Sequence, residues 1–160
     1  MSTPLEILLG PLLTHRGLHL AVAESCTGGL IGHRITNVPG SSEYYLGSVT
    51  AYAYEAKVRL LGVRWDTLNA FGAVSRETVL EMARGVRAVL GAEISMAVSG
   101  IAGPGGGLPE KPVGTTWIGL STAEHEQAWH FVFPGDRLQN KEQSAEMTLR
   151  LLVEYLSQAS

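Results

Sequence analysis

LHLAVAE (residues 18–24) is the stretch that most restricts what this chain can fold into. It is a short, mostly apolar run, the pattern of a strand buried on both faces, and such a strand needs a covering layer on each side. The flanking sequence supplies the helices. Thr3 and Pro4 read as an N-cap followed by proline at the first helical position, and Leu5, Leu8, Leu9, Leu12 and Leu13 recur at helical spacing over about 4–15. GGLIGHRITN from Gly28 predicts a second helix, closed by the turn residues VPGSS (38–42). YYLGSVTAYA (44–53) reads as the next strand and EAKVRLLGV as a short helix. Ser75 caps a helix that carries Glu77 in its first turn and runs to about Leu90, and EISMAVSG (93–100) alternates Ile94, Met96 and Val98 as a strand. After a glycine-rich loop over 100–114, VGTTWIGLST and QAWHFVFPG predict a hairpin turning at Ala123-Glu124, followed by a long helix from Arg137 to about Leu156. Alternating strands and helices followed by an antiparallel hairpin imply an α/β fold: a three-layer α/β/α sandwich with a mixed central sheet.

Composition narrows the function classes. With 160 residues, 45% hydrophobic and 17% charged, the chain suits one domain over 1–160 with a sizeable core. A net charge of -3, with no window that gathers Lys and Arg, gives no footprint for a phosphate backbone, so nucleic acid is not an expected partner. The single cysteine, Cys26, excludes an internal disulfide and a multi-cysteine zinc site and fits a reducing compartment. MSTPLEILLGPLLTHRG lacks a basic leader and is broken by Pro11, a poor secretory signal, and no window approaches the ~20 apolar residues of a membrane span. Cytoplasmic is the expected location, with no membrane partner; self-association is left open. Asp66 and Asp136 are the only aspartates and no His/Glu spacing suggests a metalloprotease, so neither a metal nor another cofactor is expected.

AESCTGG (23–29) ends the first strand and sets Ser25, Cys26 and Thr27 in a row, each able to attack a carbonyl once its proton is removed. Ligands collect at the carboxyl ends of strands in α/β sheets, and backbone N–H groups around Cys26 and Thr27 could line an oxyanion hole, with Gly28 allowing close approach. The ordinary alternative is that Ser25 or Thr27 only caps the next helix. The histidines, at 15, 19, 33, 125 and 130, show no motif-like placement that would activate Cys26, which also suits a small buried space. Lysine is the other base open to a serine. Lys57, in YAYEAKVRLLG, has apolar and aromatic neighbours (Tyr52, Val58, Leu60) that could desolvate it, or it is a solvated helix lysine paired with Glu55.

SGIAGPGGG (99–107) matches neither standard nucleotide signature, yet Gly100 and Gly103 permit N–H groups to gather around an anion, and long unstructured loops are uncommon without a function. Thr115 begins the next strand, and Arg137, in PGDR, is either a phosphate fork or a helix-surface arginine.

Taken in order, AESCTGG, GSVTAYAYEAK, GAVS, SGIAGPGGG, KPVGTTWIGL and GDR resemble the CinA C-terminal domain family over about 18–150. The resemblance implies a nicotinamide mononucleotide deamidase, in the form that stands alone rather than behind a larger N-terminal domain. It implies Ser25 as nucleophile, Lys57 and Tyr52 as its assistants, Arg137 in substrate binding, and no cofactor. Tyr54 stands where relatives commonly show a small or polar residue, so either tyrosine can be the one that enters the site. Two rivals from other classes are a nucleotide-binding regulatory module and an interaction protein of DNA uptake or repair.

Overall fold

The computed structural model describes residues 2–158. Five strands form one sheet in the order β2-β1-β3-β4-β5, with β1 Leu20–Glu24, β2 Tyr45–Thr50, β3 Ile94–Gly100, β4 Thr115–Thr122 and β5 Glu126–Val132. β1 runs parallel to both β2 and β3, whereas β3–β4 and β4–β5 are antiparallel. Helices α1 (Leu5–His15), α2 (Leu30–Thr36) and α6 (Arg137–Gln158) cover one face; α3 (Tyr54–Leu61), α4 (Trp65–Phe71) and α5 (Arg76–Leu90) cover the other. The expected three-layer α/β/α sandwich with a mixed sheet is what the chain forms.

All five residues of β1 are buried, and their side chains divide by parity. Leu20 and Val22 join the core with Leu9, Leu13, Ile31 and Leu149, while Ala21 and Ala23 join Leu61, Met82, Ala83 and Val86 opposite. β2 lies on one side of β1 and β3 on the other, and their connections cross opposite faces. The chain therefore parts at the carboxyl end of β1, the point where open α/β sheets bind ligands.

Several local expectations shift. Pro4 rather than Thr3 is the N-cap of α1, and α2 begins at Leu30 behind Gly29 (φ 103°), later than the Gly28 start read from sequence. β2 ends at Thr50, so Tyr52 lies in a connection. His19 stands just before β1, half-exposed and 2.8 Å from Glu93. α4 was not anticipated: its apolar ends, Trp65 and Phe71, are exposed and only Thr67 and Leu68 are buried, so it shows no amphipathic period. Ser75 caps α5 as expected, its hydroxyl accepting from the Thr78 N–H at 3.1 Å.

Candidate active site

Ser25 continues the β1–β3 pairing by one residue, its N–H donating to Val98 O at 3.1 Å. By strand parity its side chain falls with Ala21 and Ala23, toward α3, where Lys57 waits. Lys57 is 1% exposed, and its Nζ lies 2.9 Å from Ser25 Oγ, 3.0 Å from Ala51 O and 2.9 Å from Tyr52 O. Two carbonyls match the two N–H bonds of a neutral amine, leaving its lone pair for the serine proton. Burial pushes the ammonium down from 10.5 to about 8, only partly opposed by Cys26. Glu55 is exposed and is not among the partners of Lys57. Two of the neighbours expected to supply that burial, Tyr52 and Leu60, are themselves 62% and 49% exposed.

Cys26 turns back to the other face. Its side chain joins the α6 core beside Ser144, and burial pushes the thiol up to about 11, which leaves it protonated and unreactive at neutral pH. Its backbone N–H and that of Thr27 have no hydrogen-bond partner among the described residues, while Gly28 N closes a turn on Ser25 O. Two adjacent free donors behind a serine are the parts of an oxyanion hole.

The helix cap expected of Ser25 or Thr27 belongs instead to Glu24. This carboxylate, 0% exposed, accepts at Oε1 from Thr27 Oγ1 (2.6 Å), Gly29 N (3.2 Å) and Ile31 N (3.0 Å), and at Oε2 from Gly32 N (3.0 Å). It satisfies the first N–H groups of α2 from the end of the neighbouring strand and fixes the 25–29 turn. Gly32 lets α2 pack closely on β2: a Cβ there would stand 2.8 Å from Tyr45 Oη and 3.0 Å from Ser48 Oγ. Sequence reasoning passed over Glu24; its polar type at the end of an apolar strand was the available signal.

A cavity of about 160 Å³ opens above Ser25 and Lys57, walled by Tyr52, Val74, Ser99 and Arg137 among others. Through Ala102 and Arg137 it adjoins a cleft of about 470 Å³ bordered by Pro104, Val113 and Leu138. Arg137 donates from Nη1 to Gly103 O at 2.6 Å and from Nη2 to Tyr52 Oη at 3.1 Å, tying the glycine-rich loop to the β2–α3 connection. Gly100 and Cys26 line the cavity; a Cβ at Gly100 would fall 2.6 Å from Thr116 Oγ1. Tyr52 is the tyrosine at the cavity, whereas Tyr54 accepts from the Ala73 N–H and packs on Trp65.

Other residues singled out in the sequence stand apart from it. Thr27 and Gly28 border an adjacent cleft of about 410 Å³ with Lys141. Thr115 is 1% exposed and donates to Pro112 O, which puts it under the loop rather than in the cavity. A wider cavity, about 660 Å³ beside Trp129 and Tyr155, lies at the far end of the sheet, away from Ser25 and Lys57. No group of His, Cys, Asp and Glu among the described residues could hold a metal ion, and no described helix is long and apolar enough to cross a membrane.

Comparison with known proteins bears on the family and the fold. The chain is 51% identical over 154 residues to a CinA-like protein of Chlorobaculum tepidum and 49% identical over 158 residues to one of Chloroherpeton thalassium. These alignments cover 93% and 96% of the chain but only 36% and 38% of the relatives. Among solved structures it superposes on the competence damage-inducible protein A of Klebsiella pneumoniae with a TM-score of 0.94 at 34% identity, covering 98% of this chain and 97% of that one. It superposes on the competence or damage-inducible protein of Enterobacter asburiae with a TM-score of 0.93 at 35% identity, covering 97% and 99%. The family model described as CinA C-terminal domain matches residues 2–156, and the chain belongs to the CinA C-terminal domain family.

Proposed function

We propose that this protein is an amidase that hydrolyses the carboxamide of nicotinamide mononucleotide to the carboxylate, releasing ammonia. The observation that carries this reading is the 2.9 Å contact between Ser25 Oγ and the buried, pKa-depressed Lys57. Neutral Lys57 takes the serine proton as Oγ bonds to the carboxamide carbon. The resulting oxyanion faces the free N–H groups of Cys26 and Thr27, an arrangement worth roughly 3–4 kcal/mol per donor in enzymes where one has been removed. The Lys57 ammonium then gives its proton to the nitrogen as the C–N bond breaks, and ammonia leaves an acyl ester on Ser25. Neutral again, Lys57 deprotonates a water that attacks this ester, and the proton returns to Oγ as the acid departs.

The cationic pyridinium suits a cavity whose lysine is neutral. The ribose phosphate extends past Ala102 toward Arg137, which holds the phosphate with the donors that Gly103 and Tyr52 leave free. Tyr52 acts through its carbonyl on Lys57 and through its hydroxyl on Arg137. No metal or organic cofactor takes part in these steps. Incubation of purified protein with nicotinamide mononucleotide, with ammonia and the acid product assayed together, tests the reading. Binding without ammonia release would make the chain a nucleotide-binding module instead.

A further inference from the structure

Ser99 occupies the position on β3 directly across from the nucleophile. Glu24 pairs with Val98 in the parallel β1–β3 register, and the bond from Ser25 N to Val98 O carries that register one residue on, so that Ser25 and Ser99 are cross-strand neighbours. Parallel neighbours share a face, with strands about 4.8 Å apart. The face is the one toward α3 and α5: Ser95, two residue pairs back along β3, donates its hydroxyl to Ala83 O of α5, and Ala97 lies in that same core.

Ser99 is 1% exposed and lines the cavity that contains Ser25 and Lys57. Unlike Ser95, its hydroxyl has no hydrogen-bond partner among the described residues. The hydroxyl is also not sealed off: Tyr44 Oη is the one fully occluded side-chain N or O atom left unpaired among the described residues. A ligand that fills the cavity covers this hydroxyl and must offer it a partner, because burying it unpaired is costly. Lys57 Nζ has its three contacts elsewhere, so Ser99 is outside the proton path between lysine and nucleophile.

We propose that Ser99 is a substrate-orienting residue whose Oγ accepts a hydrogen bond from the carboxamide N–H. The inference rests on the amidase reading above and deepens it. An amide presented to Ser25 can lie two ways round, with oxygen or nitrogen toward the free N–H groups of Cys26 and Thr27. The Cys26 and Thr27 N–H groups can only donate, so they take the carbonyl oxygen, and the nitrogen is left facing β3, where the Ser99 hydroxyl accepts from it. The leaving nitrogen is then held on a fixed side while Lys57 delivers its proton. A site that contributes such an acceptor discriminates against analogues lacking the N–H, because Ser99 Oγ then faces a group that cannot donate to it.

The test compares kcat/KM, which reports on acylation, for nicotinamide mononucleotide and for its methyl ester analogue, in which OCH3 replaces NH2 and both compounds pass through the same acyl-enzyme. Ser99→Ala is expected to lower kcat/KM for the carboxamide by tenfold to a hundredfold and for the ester by less than threefold, with Ser99→Thr restoring part of the carboxamide rate. Equal losses on both compounds, a larger loss on the ester, or no loss on either would overturn the assignment. Should Ser99→Ala fail to fold, Ser99→Cys, a weaker acceptor of similar size, carries the same comparison. A wild-type protein that hydrolyses neither compound would overturn the amidase reading and this inference with it; an active wild type with equal variant losses would overturn this inference alone.

Discussion

Lys57 Nζ and Ser25 Oγ lie 2.9 Å apart although 32 residues separate them in the chain, and the lysine is 1% exposed with no carboxylate beside it. An ammonium there is poorly solvated, which is why its pKa falls to about 8. A base must be neutral to work, so activity is expected to rise with pH: kcat/KM should climb through a midpoint near 8 and level off above it. The bound pyridinium adds a second positive charge, so the midpoint of kcat should lie lower still. Lys57→Arg should be as inactive as Lys57→Ala, since guanidinium stays protonated. A Lys57→Arg enzyme that keeps most of the wild-type rate would reduce the lysine to a fixed charge.

The same shift has a stability signature. Lys57 binds its proton less tightly folded (about 8) than unfolded (10.5), so between these values the unfolded chain holds more protons. This group's contribution therefore rises as pH goes from about 8 to 10.5 and is flat outside that window, amounting to about 3 kcal/mol in all. Because the raised Cys26 thiol contributes an opposite slope above about 9 in both proteins, urea unfolding should show the stability difference between wild type and Lys57→Met changing in favour of wild type across this range.

Ser25→Ala is expected to lower ammonia release by roughly a thousandfold or more while changing melting temperature little, because it removes the nucleophile and almost no volume. Cys26→Ala should stay active, since a thiol pushed up to about 11 is protonated under assay conditions. The reverse pattern, with a dead Cys26→Ala and an active Ser25→Ala, would move the nucleophile by one residue.

Arg137→Ala should raise KM for nicotinamide mononucleotide at least tenfold and affect nicotinamide riboside much less, because only the former has a phosphate. Matching losses for both would assign Arg137 to its contacts with Gly103 and Tyr52, holding the loop rather than the ligand.

Glu24→Ala leaves four donors without their acceptor, three of them buried, at about 1–3 kcal/mol for each one that water does not reach. Chemical denaturation should show a loss of several kcal/mol. Thr27→Val removes one of the four partners and should cost about 1 kcal/mol. A Glu24→Ala protein as stable as wild type would mean that the turn is held by its backbone alone.

Much of the architecture is local and was legible in the residues. The mostly apolar β1 demanded two covering layers, the period of the hairpin showed its strands, and Ser75 announced α5; the motif string carried the family and, through it, the expectation that Ser25, Lys57 and Arg137 serve one site. What the heptapeptide AESCTGG left open was the role of each residue in it. Strand parity and register decide that: Glu24 turns to α2 and becomes its cap, Ser25 turns to α3 and meets Lys57, and Cys26 turns back into the α6 core. Successive side chains on a strand point to opposite faces, so adjacent residues of similar chemistry enter different environments. Which environment each enters is set by pairings across the sheet, between β1 and Val98 of β3 and between Glu24 O and Ala51 N beyond β2, and these join residues that lie far apart in sequence. The depressed lysine has the same origin. Its neighbours along the chain, Tyr52 and Leu60, are exposed, and the burial that moves its proton comes from the folded layers closing over it.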